Sequence, residues 1–160
     1  MSVHLLDAAF GEVAVQRGLL TPAQLHDARQ AQESERPAAP LPVVLVERCL
    51  LSPARVAEVF ASHVAVWLAA DARAAEHART WRMAALLLAR GWASPGAVQG
   101  ALRTWAARVA AGEAVAALEE LLASGGTFAA GRAEEARAAL LAADSESALA
   151  HDPAETAVSS

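Results

Sequence analysis

The amino-acid sequence predicts an all-α protein in which repeated helix-turn-helix units form two small helical bundles. Three observations support this fold class. A seven-residue pattern recurs along the chain, the segments around it carry apolar residues at helical spacing, and no long segment alternates between apolar and polar residues as a half-buried strand would. The 160 residues are enough for one domain or two small ones.

The recurring pattern describes the end of one helix, a tight turn and the start of the next helix. It occurs as QRGLLTP at residues 16–22, ERCLLSP at 47–53 and ARGWASP at 89–95. Its arginine complements the negative end of the helix dipole, and its glycine supplies the left-handed conformation that ends a helix. Thr or Ser is a favoured N-cap, and proline is favoured at the first helical position. We therefore expect three equivalent turns, in which Cys49 takes the left-handed place of Gly18 and Gly91.

Apolar residues flank each turn at the spacing of a helix that buries one face. They are Leu6, Phe10 and Val13 before the first turn, Val56, Val59, Phe60 and Trp67 after the second, with His63 on the same stripe, and Val98, Ala101, Leu102, Trp105 and Val109 after the third. The short apolar run at 42–46 is also expected to be helical, because it occupies the place of residues 10–15 in the first unit. A β-strand is the alternative for this run.

A fourth, weaker unit follows, with leucines at 118, 121 and 122, a glycine turn at 124–128 and a helix at about 130–142. The expected organisation is a first pair of units over 1–66 with a polar linker at 33–40, a connecting helix over 67–79, a second pair over 80–142 and an acidic tail over 143–160. Because apolar periodicity stops in the tail, we expect it to be disordered.

Composition and charge limit the classes of partner. The formal net charge is −5, whereas proteins that grip nucleic acid through its phosphates are more often basic, so no nucleic acid is expected. The charge-free stretch at 59–70 is shorter than the roughly 20 residues that span a bilayer, so it predicts a buried helix and no membrane insertion. The N-terminus lacks the features of a secretory signal, and a cytoplasmic location is expected.

No catalytic or metal site is predicted. The five histidines show no His-x-x-x-His spacing, and the single cysteine permits no internal disulfide, so neither a metal nor a cofactor is expected. Cys49 and His63 are a conceivable nucleophile and base, but no catalytic signature surrounds the cysteine. We expect Cys49 to stand in for glycine, His63 to lie at the edge of the core, and the protein not to be an enzyme.

The first unit, from Phe10-Gly11-Glu12 through the first turn to Gln32, resembles the MshEN-type N-terminal domain of type II secretion and type IV pilus assembly ATPases. Motifs of that family have about 24 residues, open with Arg-Leu-Gly, carry Gly ten positions in and close with Gln. The resemblance covers most of 9–63 and, more loosely, 82–140. The chain has no lysine and therefore no phosphate-binding loop of an ATPase. The resemblance implies a regulatory or docking module that binds another protein.

Some members of that family bind cyclic di-GMP through two consecutive motifs. No copy in this chain is complete: the first lacks the opening Arg, the second has Cys49 for Gly and ends on His63, and the third keeps Arg82 but ends on Trp105. Carried over residue by residue, the resemblance assigns ligand binding to the following positions: Gly11, Gly18, Gln32 and Arg82. A cyclic di-GMP receptor is therefore the alternative to an adaptor protein.

The turns also offer a candidate partner surface. Arg17, Arg48 and Arg90 occupy equivalent positions, where they form either an anion-binding row or, more simply, solvated partners of the helix ends. Most of the four tryptophans are expected in the core, because an Ala-rich bundle needs bulk. Trp92 lies on a turn, where an aromatic side chain suits contact with a partner.

Overall fold

The computed structural model describes residues 2–62, 67 and 73–150. This part of the chain holds eight helices and no strand. They are α1 (Ser2–Gln16), α2 (Pro22–Glu35), α3 (Leu41–Glu47), α4 (Pro53–Ser62), α5 (Ala74–Ala89), α6 (Pro95–Ala110), α7 (Leu118–Ser124) and α8 (Ala130–Ala150). The predicted all-α fold is confirmed. Because α3 contains residues 42–46, the helical interpretation of that run is confirmed and the strand alternative is wrong.

The three predicted turns share one backbone conformation. Their left-handed residues are Gly18 with φ 71°, Cys49 with φ 58° and Gly91 with φ 65°. In each turn the next residue donates its N–H to a carbonyl five positions back, which closes the helix end as a Schellman motif does. These bonds join Leu19 to Ala14 at 2.9 Å, Leu50 to Leu45 at 2.9 Å and Trp92 to Leu87 at 3.0 Å. The predicted left-handed conformation of Cys49 is confirmed.

Each turn also carries its predicted N-cap. The hydroxyl oxygens of Thr21, Ser52 and Ser94 accept hydrogen bonds from backbone N–H groups three residues later, at 3.1, 3.3 and 3.2 Å. The Gln24 side chain in turn accepts from the backbone N–H of Thr21 at 2.9 Å, which completes a capping box. A proline opens α2, α4 and α6, where its missing N–H leaves no donor unpaired.

One apolar core includes buried residues of all eight helices. At its centre the ring centroids of Phe10 and Phe60 lie 5.3 Å apart, and that of Trp67 lies 5.4 Å from Phe60. The described members of the predicted apolar stripes are buried, whereas His63 lies outside the described residues. The two pairs of units therefore pack on each other through a shared core, with α4 against α5 and α3 against α6.

The predicted tail requires a correction. Disorder from residue 143 onward is wrong for residues up to Ala150, because α8 continues to that position. Alanine, the best helix former, is frequent there, and Asp144 forms an ion pair with Arg82 of α5 at 2.9 Å. Loss of apolar periodicity does not reveal such an ion pair, because the partner lies on another helix. Residues 151–160 lie outside the described part of the chain.

The expected connecting helix over 67–79 lies only partly within the described residues. From Ala74 onward it belongs to α5, which therefore begins before the predicted second pair. Of the helices in residues 2–62 and 73–150, none is both long and apolar enough to cross a membrane.

Candidate protein-binding surface

Trp92 is held at the surface by the turn between α5 and α6. Arg90 caps the end of α5, Gly91 reverses the backbone, and the Trp92 N–H donates to the Leu87 carbonyl. The indole packs partly against the core but stays half-buried. The other tryptophans, at 67, 81 and 105, are at most 3% exposed. Trp92 is thus the one tryptophan among the described residues that is not buried.

Two guanidinium groups lie over the Trp92 ring. The Cζ atom of Arg90 is 5.4 Å from the ring centroid, and that of Arg132 is 5.2 Å away. At an exposed site, each such cation–π contact contributes about 0.5–1 kcal/mol. Since both carbons lie close to one ring, they are separated by no more than about 11 Å. We define the Trp92 surface as Arg90, Trp92 and Arg132.

The arginines of the Trp92 surface differ in their pairing with carboxylates. Arg132 forms an ion pair with Glu135 at 2.8 Å. For Arg90, no described carboxylate oxygen lies within 4.0 Å. Nine of the 13 arginines do have such a partner, so Arg90 is in the minority. Its guanidinium therefore keeps its N–H donors for water or for a ligand.

The equivalent turn arginines make unlike contacts. Arg17 donates from Nη1 to the backbone oxygen of Glu58 at 3.1 Å, whereas Arg48 pairs with Glu35 at 3.1 Å. Neither shares a partner with Arg90. Arg17, Arg48 and Arg90 share a position in the turn motif, whereas Arg132 comes from α8 and belongs to no turn motif, so no sequence pattern indicated it. Only the packing of α8 beside the third turn brings Arg132 to Trp92.

Gln32, a candidate ligand residue, lies inside the fold with 8% of its surface exposed. Its Nε2 donates to Asp7 Oδ2 and to the Ala39 carbonyl, both at 2.7 Å. The other carboxylate oxygen of Asp7 accepts from the backbone N–H of Leu41 at 2.9 Å. The amide therefore joins α1, α2 and the start of α3, and both its hydrogens are already in use.

The other three ligand candidates have structural contacts of their own. A Cβ atom on Gly11 would lie 2.8 Å from a methyl group of Leu25, so this glycine permits the close approach of α1 and α2. Gly18 provides the left-handed turn. Arg82 lies in the second half of the chain, away from the other three candidates, and forms an ion pair there with Asp144. Among the described contacts, none joins Arg82 to Gly11, Gly18 or Gln32.

A buried acid that the sequence did not single out lies between the last helices. Glu119 of α7 is fully buried and contacts Arg79 of α5 at 2.7 Å and Arg137 of α8 at 3.2 Å. Burial alone would raise the pKa of Glu119, but hydrogen bonds from Arg79, its own backbone N–H and Arg137 outweigh it, so the pKa is lowered. No sequence pattern distinguished Glu119 from the solvated acids, since its partners lie on other helices.

Within the described residues, no three His, Cys, Asp or Glu side chains are placed to hold a metal ion together. Comparison with known protein families, with characterised proteins and with solved structures finds no match for the chain. The chemistry of the Trp92 surface is therefore the main basis for a functional proposal.

Proposed function

We propose that the chain is a non-catalytic adaptor or regulatory module that binds another protein in the cytoplasm through the Trp92 surface. The observation that carries the proposal is a partly buried surface tryptophan with guanidinium groups over its ring. Tryptophan and arginine are the residue types most enriched among the few side chains that dominate protein-protein affinity. An indole also covers a large apolar area while losing little conformational freedom on binding.

The turn that carries Trp92 supports this role, because it is fixed before a partner arrives. The left-handed Gly91, the bond from Trp92 to Leu87 and the Ser94 cap determine its backbone. The arginines already rest on the indole. Preorganised side chains lose less entropy when a complex forms, so more of the contact energy remains for affinity.

The resemblance to the ATPase N-terminal domain agrees with a docking or regulatory role. Its alternative, a cyclic di-GMP receptor, requires Gln32 and Arg82 to bind the ligand. Gln32 already donates both amide hydrogens within the fold, and Arg82 already holds Asp144. A nucleotide would have to displace the buried contacts of Gln32, which favours the adaptor.

Photo-crosslinking tests the proposal. We would replace Trp92 with p-benzoylphenylalanine, which keeps an aromatic ring there, and irradiate cells of the native host. The control carries the same group at Leu141, which is 68% exposed on α8. The expected result is a discrete protein adduct at position 92 that is absent at position 141. No adduct at position 92, or the same adducts at both positions, would overturn the proposal.

A further inference from the structure

We infer that the segment bound by the Trp92 surface is an acidic peptide in which an apolar side chain lies between carboxylates. The apolar side chain covers the exposed part of the indole, and the carboxylates bind Arg90 and Arg132. This inference rests on the proposed function and names the chemical class of the partner.

Arg90 gives the strongest reason for a carboxylate ligand. Its guanidinium carbon lies 5.4 Å from the Trp92 ring centroid, and none of the described carboxylates pairs with it, so its planar fork of N–H donors stays available. A carboxylate matches that planar fork with two parallel hydrogen bonds. A neutral peptide would leave these donors to water, so it would gain nothing from Arg90.

Arg132 extends the cationic surface. It holds Glu135 through one guanidinium nitrogen, and the side chains of this pair are 42% and 54% exposed. Exposed pairs of this kind contribute little stability, so Arg132 can share its remaining donors with a second carboxylate at low cost. Because the two guanidinium carbons are at most about 11 Å apart, carboxylates a few residues apart in one extended peptide can reach both.

Charge complementarity favours an acidic partner at the Trp92 surface. The chain as a whole carries a formal charge of −5, so an acidic peptide is repelled by most of the molecule and attracted at the cationic Trp92 surface. The same net charge opposes a long polyanion such as nucleic acid, which would extend far beyond two arginines.

Fluorescence quenching isolates this surface, because the other three tryptophans are buried. Relative to their quenching of free N-acetyltryptophanamide, iodide is expected to quench Trp92 more strongly than caesium does, since the guanidinium groups attract the anion. Arg90→Gln should reduce this preference. Arg108→Gln is the matched control, because Arg108 is also an exposed arginine at a helix end without a described carboxylate partner. Equal quenching by both ions on this relative scale in the wild-type protein would overturn the cationic character of the surface.

The binding test uses two synthetic hexapeptides, Glu-Glu-Leu-Glu-Glu-Leu and its neutral counterpart Gln-Gln-Leu-Gln-Gln-Leu, titrated by calorimetry. The acidic peptide is expected to bind, with the neutral one at least tenfold weaker, because each lost charge-assisted bond reduces affinity by about tenfold or more. Arg90→Gln should weaken the acidic peptide to a similar extent, whereas Arg108→Gln should leave its affinity within twofold of wild type.

The outcomes separate this inference from the proposed function. Equal binding of both peptides, or an unchanged affinity in Arg90→Gln, would overturn the acidic class, while a crosslink at position 92 would keep the adaptor. Tighter binding of a six-nucleotide oligothymidylate would overturn it in favour of nucleic acid. A dimer in sedimentation that Arg90→Gln dissociates would assign the surface to a second copy of the chain and would also overturn it.

Discussion

The two pairs of units share the seven-residue turn, which occurs twice in the first pair and once in the second, but their buried polar contacts differ. In the first pair, the Gln32 amide joins a carboxylate and a backbone carbonyl. In the second, the Glu119 carboxylate lies between two guanidinium groups. The turns repeat because their conformation is determined within seven consecutive residues. The polar contacts do not repeat because each depends on a partner far along the chain.

Of the proposed substitutions, the one that breaks the contact of Glu119 with Arg79 and Arg137 should reduce stability most. Glu119→Gln keeps the shape of the side chain but removes the buried charge between Arg79 and Arg137. We expect the free energy of unfolding at pH 7 to fall by about 3 kcal/mol, as when one partner of a buried ion pair is removed. Urea denaturation measures this change. Glu120→Gln is the matched control, because its carboxylate is 51% exposed and its pair with Arg137 contributes little.

The same contact predicts a pH dependence. The pKa of Glu119 in the folded protein lies below its ordinary value of 4.5, so the folded state holds the charged form more strongly. Its contribution is fully present above the unfolded pKa and is lost as the pH falls through the lower folded value. The stability difference between wild type and Glu119→Gln should therefore shrink below pH 4.5. A difference that stays constant down to pH 2 would contradict this assignment.

Gln32 should give the next largest effect and tests the contact of the first pair. Gln32→Leu fills similar space but leaves Asp7 and the Ala39 carbonyl without these buried donors. We expect a loss of about 2 kcal/mol in the free energy of unfolding. Gln30→Leu, an exposed change on the same helix, should stay within about 0.5 kcal/mol of wild type. Equal effects of the two substitutions would show that the buried amide adds nothing.

Titration with cyclic di-GMP distinguishes the adaptor from the receptor, and Gln32 is the residue that the receptor requires. Because its amide is engaged within the fold, we expect no heat of binding when cyclic di-GMP is titrated at low micromolar concentration. A saturable isotherm with submicromolar affinity, abolished by Gln32→Leu in a protein that still folds, would favour the receptor instead.

The sequence predicted those parts of the molecule that depend on neighbouring residues. The left-handed Cys49, the three caps and the buried apolar faces all follow from local chemistry and helical spacing. The sequence did not predict the pairing of Arg79 with Glu119 or that of Arg82 with Asp144. Both join helices whose packing is specified by the core as a whole. Arg90 and Trp92 belong to one turn motif, so the sequence predicted them as a partner surface. Arg132 lies on another helix, and only the structure brings it to Trp92.

Replacing Cys49 with glycine should have a smaller effect, and it should stabilise the protein. A side chain in the left-handed region costs about 1–2 kcal/mol, and Cys49 is exposed, so little packing is lost without it. After allowance for the greater freedom of glycine in the unfolded chain, Cys49→Gly should raise the free energy of unfolding by about 0.5–1 kcal/mol. Thermal and urea denaturation measure the gain.

The equivalent turns at Gly18 and Gly91 provide the controls for Cys49→Gly. A Cβ atom on Gly18 or Gly91 meets no atom within 4 Å, so Gly18→Ala and Gly91→Ala test the backbone strain alone. Each should lose about 1 kcal/mol, whereas Cys49→Ala should change little because its strain is already present. Destabilisation by Cys49→Gly would show that the three turns are not energetically equivalent.

The smallest effect should come from the ion pair that links the second pair of units to the extended end of α8. The side chains of Arg82 and Asp144 are 40% and 38% exposed, so water screens most of their attraction. A double-mutant cycle with Arg82→Gln and Asp144→Asn should give a coupling energy of about 0.5 kcal/mol. Glu146→Gln, an exposed change two residues further on, should show no coupling to Arg82. If Asp144→Asn showed none either, the helix beyond residue 143 would owe its stability to alanine alone and not to its contact with α5.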